Sequence, residues 1–316
     1  MAGRVVPLRS TAAPFRQTVG SAIALSRTPT GDCGFHNRQR CSLQEAGTEG
    51  MLPSACRHFP RVFLRDARGC LVTLSHFCPT AAQLLLDDAP VYVVDASPPL
   101  ALDEPIEGLD ARDTLPPLVR PGMLSDPAGH AAWEGAVIRT LVNSRDAESA
   151  LAKVESATEI VRQWSPARGH LAAAVVEAFR TSTPDEGSQA LSDGFHIVKQ
   201  LTGPHPLMVV PCGFERDWKR LRGEVSGVLR GPVARYLAAS AFGNWIAYRG
   251  QGLRSTAAWL RACHDVLRVQ LVRHSLSPGG RVHAAALIEP IRMADYIMVH
   301  TVDSLAFGRA AVPLER

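Results

Sequence analysis

Residues 147–164 read AESALAKVESATEIVRQW, a stretch whose pattern is that of an amphipathic helix. Asn143-Ser144 lies just ahead of it and offers an N-cap, with Asp146 and Glu148 in the first turn. The stretch therefore predicts a helix with one apolar face. The apolar residues that define this face recur every three or four positions and are Ala147, Leu151, Val154, Ala157, Ile160 and Val161.

The same periodicity continues through most of the chain after residue 127. It predicts further helices over 167–181, 188–201, 214–229, 232–248, 253–275 and 282–306. Arg222-Gly223 predicts a weak break and the run 277–280, SPGG, a strong one. Several amphipathic helices with short connections form a helical bundle, so we assign 128–316 to a helical domain and the fold to the mainly α class.

Composition narrows the classes of protein. The 316 residues allow about two domains, and 46% apolar with 20% charged residues excludes a wholly disordered chain. No run approaches the ~20 apolar residues of a membrane helix, so we expect no membrane insertion. The chain has 34 basic and 30 acidic residues, and the basic ones form no stripe with a recognisable nucleic-acid-binding motif. We therefore expect no nucleic-acid partner.

Two stretches read as non-helical. Residues 1–30 carry four arginines and no acid. A transit peptide has that composition, but we favour a disordered leader. Residues 87–127 are acidic and proline-rich, which excludes long helices and predicts a linker or a strap over the surface. Within it, residues 91–94 (VYVV) predict one short strand.

Between these stretches, residues 31–86 form a small, irregular block that holds five of the seven cysteines. Residues 62–64 and 71–74 flank Asp66-Ala67-Arg68-Gly69 and predict a hairpin. Pro79 predicts the start of a short helix.

Four cysteines of this block are candidate metal ligands: Cys33, Cys41, Cys56 and Cys78, separated by seven, fourteen and twenty-one residues. Thiolates bind zinc, iron and iron–sulfur clusters, and four of them complete a tetrahedral site. Histidines in the same block (His36, His58 and His76) allow mixed ligation. Buried thiols or disulfides are the alternative from the residues alone.

The block also resembles a known family. The segments CSLQE at 41–45, LPSACRHFPR at 52–61 and LSHFCPTAA at 74–82 are similar to those of the zinc- or iron-chelating cysteine-cluster proteins, most of all the flagellin lysine-N-methylase branch. The resemblance covers about 50 residues and matches the same four cysteines to cluster cysteines. Cys70 falls outside the pattern. Family members also carry an upstream C-x(n)-C-C element, whereas residues 1–32 contain no cysteine. Either the start is cut short or this branch has lost part of the cluster.

Two functions are compatible with these features. The resemblance implies a zinc or iron–sulfur protein that moves a methyl group from S-adenosylmethionine to a lysine of a protein partner. The alternative is a non-catalytic zinc- or iron-binding protein whose helical domain docks a partner. No GxGxxG, Walker, GxSxG or HExxH motif is present, so the methylase assignment rests on the resemblance. Reduced thiolates and the absence of an export signal predict a cytoplasmic protein.

One predicted helix of the C-terminal half contains two candidate binding residues. Asn244 and Trp245 lie side by side on the predicted helix 232–248, where they could line a cofactor or peptide groove. An aromatic stripe at helical spacing is more often part of the core, which is the interpretation we favour.

Overall fold

The computed structural model describes residues 15–17, 23–25, 33–37, 40–47, 52–87, 90–91, 93–95, 108–144, 146–183 and 190–311. The chain divides into two compact units, Met1–Phe59 and Pro60–Arg316. Helices dominate the described residues, which confirms the mainly α class. The division falls within the cysteine-rich stretch 31–86, so that stretch is shared between the two units.

The first unit consists of short elements. Strands β1 (Phe15–Gln17) and β2 (Ile23–Leu25) pair antiparallel, and the rest of the predicted leader 1–30 lies outside the described residues. Strand β3 (His36–Asn37) pairs with β4 (Arg40–Cys41), and the helices α1 (Ser42–Ala46) and α2 (Ser54–His58) come next.

The second unit opens with the predicted hairpin, which is confirmed. Strands β5 (Arg61–Asp66) and β6 (Gly69–Leu74) pair antiparallel about a two-residue turn, where Gly69 has the positive φ of 124° that favours glycine. Helix α3 (Pro79–Leu84) begins at its proline, as predicted.

The acidic stretch 87–127 holds three short strands and no long helix among its described residues. Strand β7 (Gly108–Asp110) pairs in parallel with β5, and β8 (Leu118–Arg120) pairs with β9 (Met123–Leu124). A Cβ atom at Gly108 would lie 2.6 Å from the Phe63 carbonyl oxygen, so only glycine permits this approach. The prediction of a strand over 91–94 is wrong for its described residues, which are exposed and unpaired with any strand, because β7 occupies the edge of β5.

Helices make up most of the described chain from Pro127 onward. The first four are α4 (Pro127–Asn143), α5 (Ala147–Arg162), α6 (Leu171–Thr181) and α7 (Asp193–Thr202). The remaining ones are α8 (Phe214–Ala241), α9 (Ile246–Arg249), α10 (Leu253–Leu276), α11 (Ile288–Asp295) and α12 (Ser304–Ala310). Single 3-10 turns form at Pro166–Arg168, Pro206–Met208 and Ala284–Leu287, and a π-helical turn at Tyr296–Thr301.

Helix α5 is the one predicted from residues 147–164, but its N-cap is Asp146 and not Asn143-Ser144. The Asp146 carboxylate accepts a hydrogen bond from the backbone N–H of Ser149. We did not predict the bounds of helix α4, although its start has a similar sequence signal. Asp126 is the N-cap and accepts a hydrogen bond from Gly129 N, and Pro127 occupies the first turn.

Several predicted helix boundaries are wrong. The helix predicted over 232–248 is interrupted, because α8 ends at Ala241 and α9 begins at Ile246, after the positive φ of Gly243. The break expected between 229 and 232 is absent, because Pro232 lies inside α8; the helical geometry is lost instead at Val225 (φ −128°, ψ 19°). The helix predicted over 282–306 is divided into a 3-10 turn, α11, the π-helical turn and α12. Asp303 begins α12 as its N-cap by accepting from Leu305 N and Ala306 N.

Helix α10 is the centre of the second unit. It contacts α5, α7, α8, α9 and α11, and most of its side chains are buried. Its buried Asp265 and Arg268 form an ion pair of 2.9 Å, while Ser192 N donates to the same carboxylate. The Arg268 guanidinium also lies 5.2 Å from the ring centroid of Trp218 on α8. Charge pairing inside an apolar core therefore fixes how α7, α8 and α10 meet.

A second buried charge cluster fastens the hairpin to the helices. Arg68 pairs with Asp66 at 2.7 Å and with Glu134 of α4 at 2.9 Å. The Tyr248 hydroxyl donates to Asp66, and the Gly243 backbone N–H donates to Glu134. The hairpin turn, α4 and the segment between α8 and α9 are thereby held together, and this segment also lines a cavity of the second unit.

Nowhere in the described ranges does a helix combine the length and the apolar character that crossing a membrane requires.

Candidate functional site

The four cysteines predicted as ligands are divided between the two units. Cys33 and Cys41 are half-buried in the first unit, where Cys41 is the N-cap residue of α1, and Cys56 is exposed on α2. Cys78 is half-buried in the second unit as the N-cap residue of α3. All seven cysteines are free thiols.

The donor set has the right chemistry for a soft metal, but its described placement does not complete a site. Among the described residues, no three Cys, His, Asp or Glu side chains are arranged to hold one metal ion. Metal ligation by these cysteines therefore stays a prediction. Cys70 is exposed on β6, and Cys263 is buried on α10, as expected for a small apolar side chain.

A cavity with several polar residues in its wall lies in the second unit and has a volume of about 350 Å³. It is bounded by the β5–β6 hairpin, the end of α8, α9, α10, the π-helical turn and the start of α12. A volume of this size is typical of sites for small molecules. The wall contains both residues of the Asn244-Trp245 pair, so the groove interpretation describes their position better than the core interpretation does.

The turn between α8 and α9 positions this pair. Gly243 has a φ of +59°, which reverses the chain after α8. The Asn244 side chain then accepts from Ile246 N at 2.8 Å and donates to Ser240 O at 2.8 Å, so it caps both helices. Trp245 donates its indole N–H to Phe63 O on β5 at 2.9 Å. Asn244 is thus a structural residue of the wall, and Trp245 presents a fixed ring to the cavity.

The mouth of the cavity carries two opposite charges. The Arg249 guanidinium lies over the Trp245 ring, and its Nη1 donates to the Ser304 hydroxyl. No other hydrogen bond or ion pair joins its side chain to the described residues. Asp303 is exposed and uses Oδ1 to cap α12, which leaves Oδ2 without a partner in the described part of the chain. Both side chains therefore keep hydrogen-bonding capacity for a ligand.

Close packing fixes the distance between the helices that carry these charges. Gly308 of α12 lies against the carbonyl of Arg249, and a Cβ atom there would be 2.5 Å from that oxygen. This close approach requires glycine at position 308, whereas the backbone angles there do not. Substitution at Gly308 would therefore push α12, and Asp303 with it, away from α9.

The floor of the cavity is buried and polar. It contains His76, Tyr236, Cys263 and Asp295, each at most 5% exposed. Burial, together with the charge of Asp295, raises the pKa values of the Tyr236 hydroxyl and the Cys263 thiol, so both groups stay neutral.

A hydrogen-bond network holds Asp295 in the floor. Its Oδ2 accepts from the Ser75 hydroxyl at 2.7 Å and from Phe77 N at 3.0 Å, and Oδ1 lies 3.7 Å from His76 Nδ1. The same Ser75 hydroxyl lies 2.8 Å from His300 Nε2, on the π-helical turn. Irregular turns of this kind are frequent at functional sites.

The wall carries two carboxylates, Asp295 and Asp303, together with the guanidinium of Arg249 and the imidazole of His76. The rest of the wall is largely apolar and aromatic, with Phe242, Trp245 and Trp259. The cavity therefore suits a ligand with an apolar body, a zwitterionic end and a positive charge.

The sequence indicated Trp245 as a candidate residue of a binding groove, but it did not indicate Arg249 or Asp303. The i,i+4 spacing of Trp245 and Arg249 was a usable signal, because residues four apart share a helix face. Asp303 comes from a segment 54 positions later in the chain, and no local pattern joins it to Arg249.

No family model matches the chain, and no curated protein or solved structure matches it either.

Proposed function

We propose that the protein is a methyltransferase of the lysine-N-methylase kind, which transfers a methyl group from S-adenosylmethionine to a lysine of a protein substrate. The 350 Å³ cavity is its site for the methyl donor. The observation that carries the proposal is the mouth of the cavity, where Arg249 and Asp303 have opposite charges and spare hydrogen-bonding capacity.

The two charges match the amino-acid end of the methyl donor. Arg249 pairs with the donor's carboxylate, for which a guanidinium fixed on an aromatic ring supplies parallel N–H donors. Asp303 pairs with its ammonium group. The positively charged sulfonium then lies among aromatic side chains and above Asp295, an environment that favours a cation.

The reaction balances without a further reactant. The lone pair of a deprotonated lysine Nζ forms a bond to the methyl carbon while the bond from that carbon to sulfur breaks. The products are methyllysine, S-adenosylhomocysteine and the proton lost from the lysine ammonium. The chain's contribution is to hold the donor so that the methyl group faces the amine in line with sulfur.

The resemblance of the cysteine-rich block to the cysteine-cluster family supports a metal or iron–sulfur site formed by Cys33, Cys41, Cys56 and Cys78. The free state of these thiols is compatible with ligation. Such a group, when bound, would supply structural stabilisation or redox chemistry. The methyl transfer does not depend on it. Reduced thiols of this kind favour a cytoplasmic location.

One observation favours the non-catalytic alternative. A methyltransferase of the doubly wound class has a parallel sheet with a glycine-rich turn after its first strand. In the described residues the parallel pairing is limited to β5 and β7, and the hairpin turn Asp66–Gly69 leads into an antiparallel strand. A metal-binding protein that docks a partner through its helices needs no such sheet.

Methyl transfer distinguishes the two functions. Anaerobically purified, metal-replete protein is incubated with methyl-labelled S-adenosylmethionine and a lysine-rich protein, and label on lysine Nζ is measured by mass spectrometry. The proposal predicts transfer that Arg249→Gln abolishes and that the exposed control Arg180→Gln leaves unchanged. Bound metal with neither donor binding nor transfer would establish the non-catalytic function.

A further inference from the structure

A second cavity, of about 130 Å³, lies on another side of the second unit. It is formed by the start of α5, one face of α8 and His264 of α10. None of its lining residues borders the larger cavity. A ligand here would therefore be independent of the proposed methyl donor.

The irregular turn of α8 borders this cavity. Val225 has non-helical backbone angles, and its neighbour Ser226 lines the wall. Gly223 and Gly227 flank the irregular residue, and a Cβ atom at either position would meet nothing within 4 Å.

The wall has an apolar side and a basic side. Trp218, Leu229 and Val233 supply apolar surface from α8. Arg222, also on α8, is already paired with Asp146 at 3.0 Å and with the buried Glu148. Arg230 lies two turns further along, is exposed, and forms no ion pair or hydrogen bond with the described residues.

A buried imidazole completes the wall. His264 is 3% exposed, and its Nδ1 atom forms no hydrogen bond with the described residues. Burial, with Arg268 and Arg261 nearby, lowers its pKa well below 6.5, so the ring is neutral at pH 7. A neutral ring does not offset the charge of Arg230, so one positive charge remains at the wall.

We infer that this cavity binds a small monocarboxylate whose apolar body lies on Trp218 and whose carboxylate pairs with Arg230. The cavity of about 130 Å³ is slightly smaller than the apolar cavity of about 150 Å³ that accommodates benzene, so an apolar body of about that size would fill it and the carboxylate would lie at the exposed Arg230. Inorganic phosphate would leave the apolar wall without contacts, and a larger metabolite would not fit.

Calorimetric titration with benzoate tests the inference on the full-length protein. We expect saturable binding that weakens at least tenfold in Arg230→Gln and in Ser226→Leu, which fills the cavity. Arg220→Gln is the matched control, because Arg220 is on the same helix, pairs with Glu224 and does not line the cavity; its affinity should equal that of the wild type.

Other probes define the results that overturn the inference. Benzamide has the same ring without the charge, and equal affinity for benzamide would show that Arg230 plays no part. Phosphate binding as tight as benzoate binding would show a simple anion site. An absence of saturable benzoate binding by folded wild-type protein would remove the site altogether.

Discussion

The guanidinium of Arg249 stacks on the ring of Trp245, with its Cζ atom 4.9 Å from the ring centroid. Stacking covers one face of the guanidinium and leaves its in-plane N–H groups available, and only one of them is used within the described residues, by Ser304. A cation held in this way is oriented for a carboxylate before any ligand arrives, so little side-chain entropy is lost on binding.

Asp303→Asn tests the other charge at the mouth. Asparagine caps helices as well as aspartate does, so α12 should keep its start and the free energy of unfolding should not change. The loss of charge should weaken binding of S-adenosylmethionine by roughly tenfold, a typical effect of one charge-assisted hydrogen bond. Isothermal titration with S-adenosylmethionine measures the affinity of the wild type and of Asp303→Asn, and the exposed Asp113→Asn is the control. Unchanged affinity would show that Asp303 does not contact the donor.

The buried cluster around Arg68 predicts a large effect on stability. Arg68→Ala leaves Asp66 and Glu134 as buried carboxylates without their cation, and we expect the free energy of unfolding to fall by about 3–5 kcal/mol. The chain offers a matched control in Arg112, which pairs with Asp110 at the same spacing but in solvent. Urea unfolding should show no measurable change for Arg112→Ala, and equal effects of the two variants would contradict the account.

The hairpin that carries this cluster was predictable from sequence, and the cluster was not. Asp66-Ala67-Arg68-Gly69 marks a turn through local chemistry, since Gly69 supplies the positive φ and Asp66 accepts from Arg68 N. Glu134 joins Arg68 from 66 positions away, so only the tertiary fold brings the two together. The same reason hid Asp303, whereas Trp245 was noticed as a large aromatic residue.

The predicted helix boundaries were wrong where the local sequence contained more than one possible helix-breaking residue. Pro232 lies where we expected one helix to end and the next to begin, but its fixed φ is compatible with α8. The helix is distorted at Val225 instead, two residues after the weak break expected at Arg222-Gly223. The cysteine spacing was a signal of another kind. It identified candidate ligands by type, but four thiols in sequence order do not fix where the fold places them.

The buried His130 predicts a pH-dependent stability. Burial and the nearby Arg68 lower its pKa from 6.5 to about 4 in the folded protein. As pH falls, the unfolded chain takes up this proton first, so the stabilisation is complete above pH 6.5 and is lost progressively towards pH 4. The difference corresponds to at most about 3 kcal/mol.

Unfolding curves at pH 7, 5.5 and 4.5 measure this loss. His130→Gln should flatten the dependence on pH over that range, whereas the exposed His283→Gln should leave it as in the wild type. A wild-type protein whose stability rises on acidification from pH 6.5 to 4.5 would contradict the prediction.

Variants of the proposed ligand cysteines should lose bound metal, whereas a variant of another cysteine should not. Cys56→Ser and Cys78→Ser each remove one proposed ligand and should lower the bound zinc or iron by half or more, with a loss of stability. Cys70→Ser, which is exposed on β6 and lies outside the family pattern, should retain the wild-type metal content. Elemental analysis after anaerobic purification checks this, and equal effects of all three variants would show that the ligands were chosen wrongly.

The proposed function requires that the larger cavity binds the amino-acid end of S-adenosylmethionine. The most direct test is calorimetric titration of wild-type protein and Arg249→Gln with S-adenosylmethionine and with 5′-methylthioadenosine, which lacks the amino-acid end. We predict saturable wild-type binding of S-adenosylmethionine that falls at least tenfold in the variant, with weak binding of methylthioadenosine that is the same in both. Equal affinity of the two compounds, or no loss in Arg249→Gln, would contradict the claim.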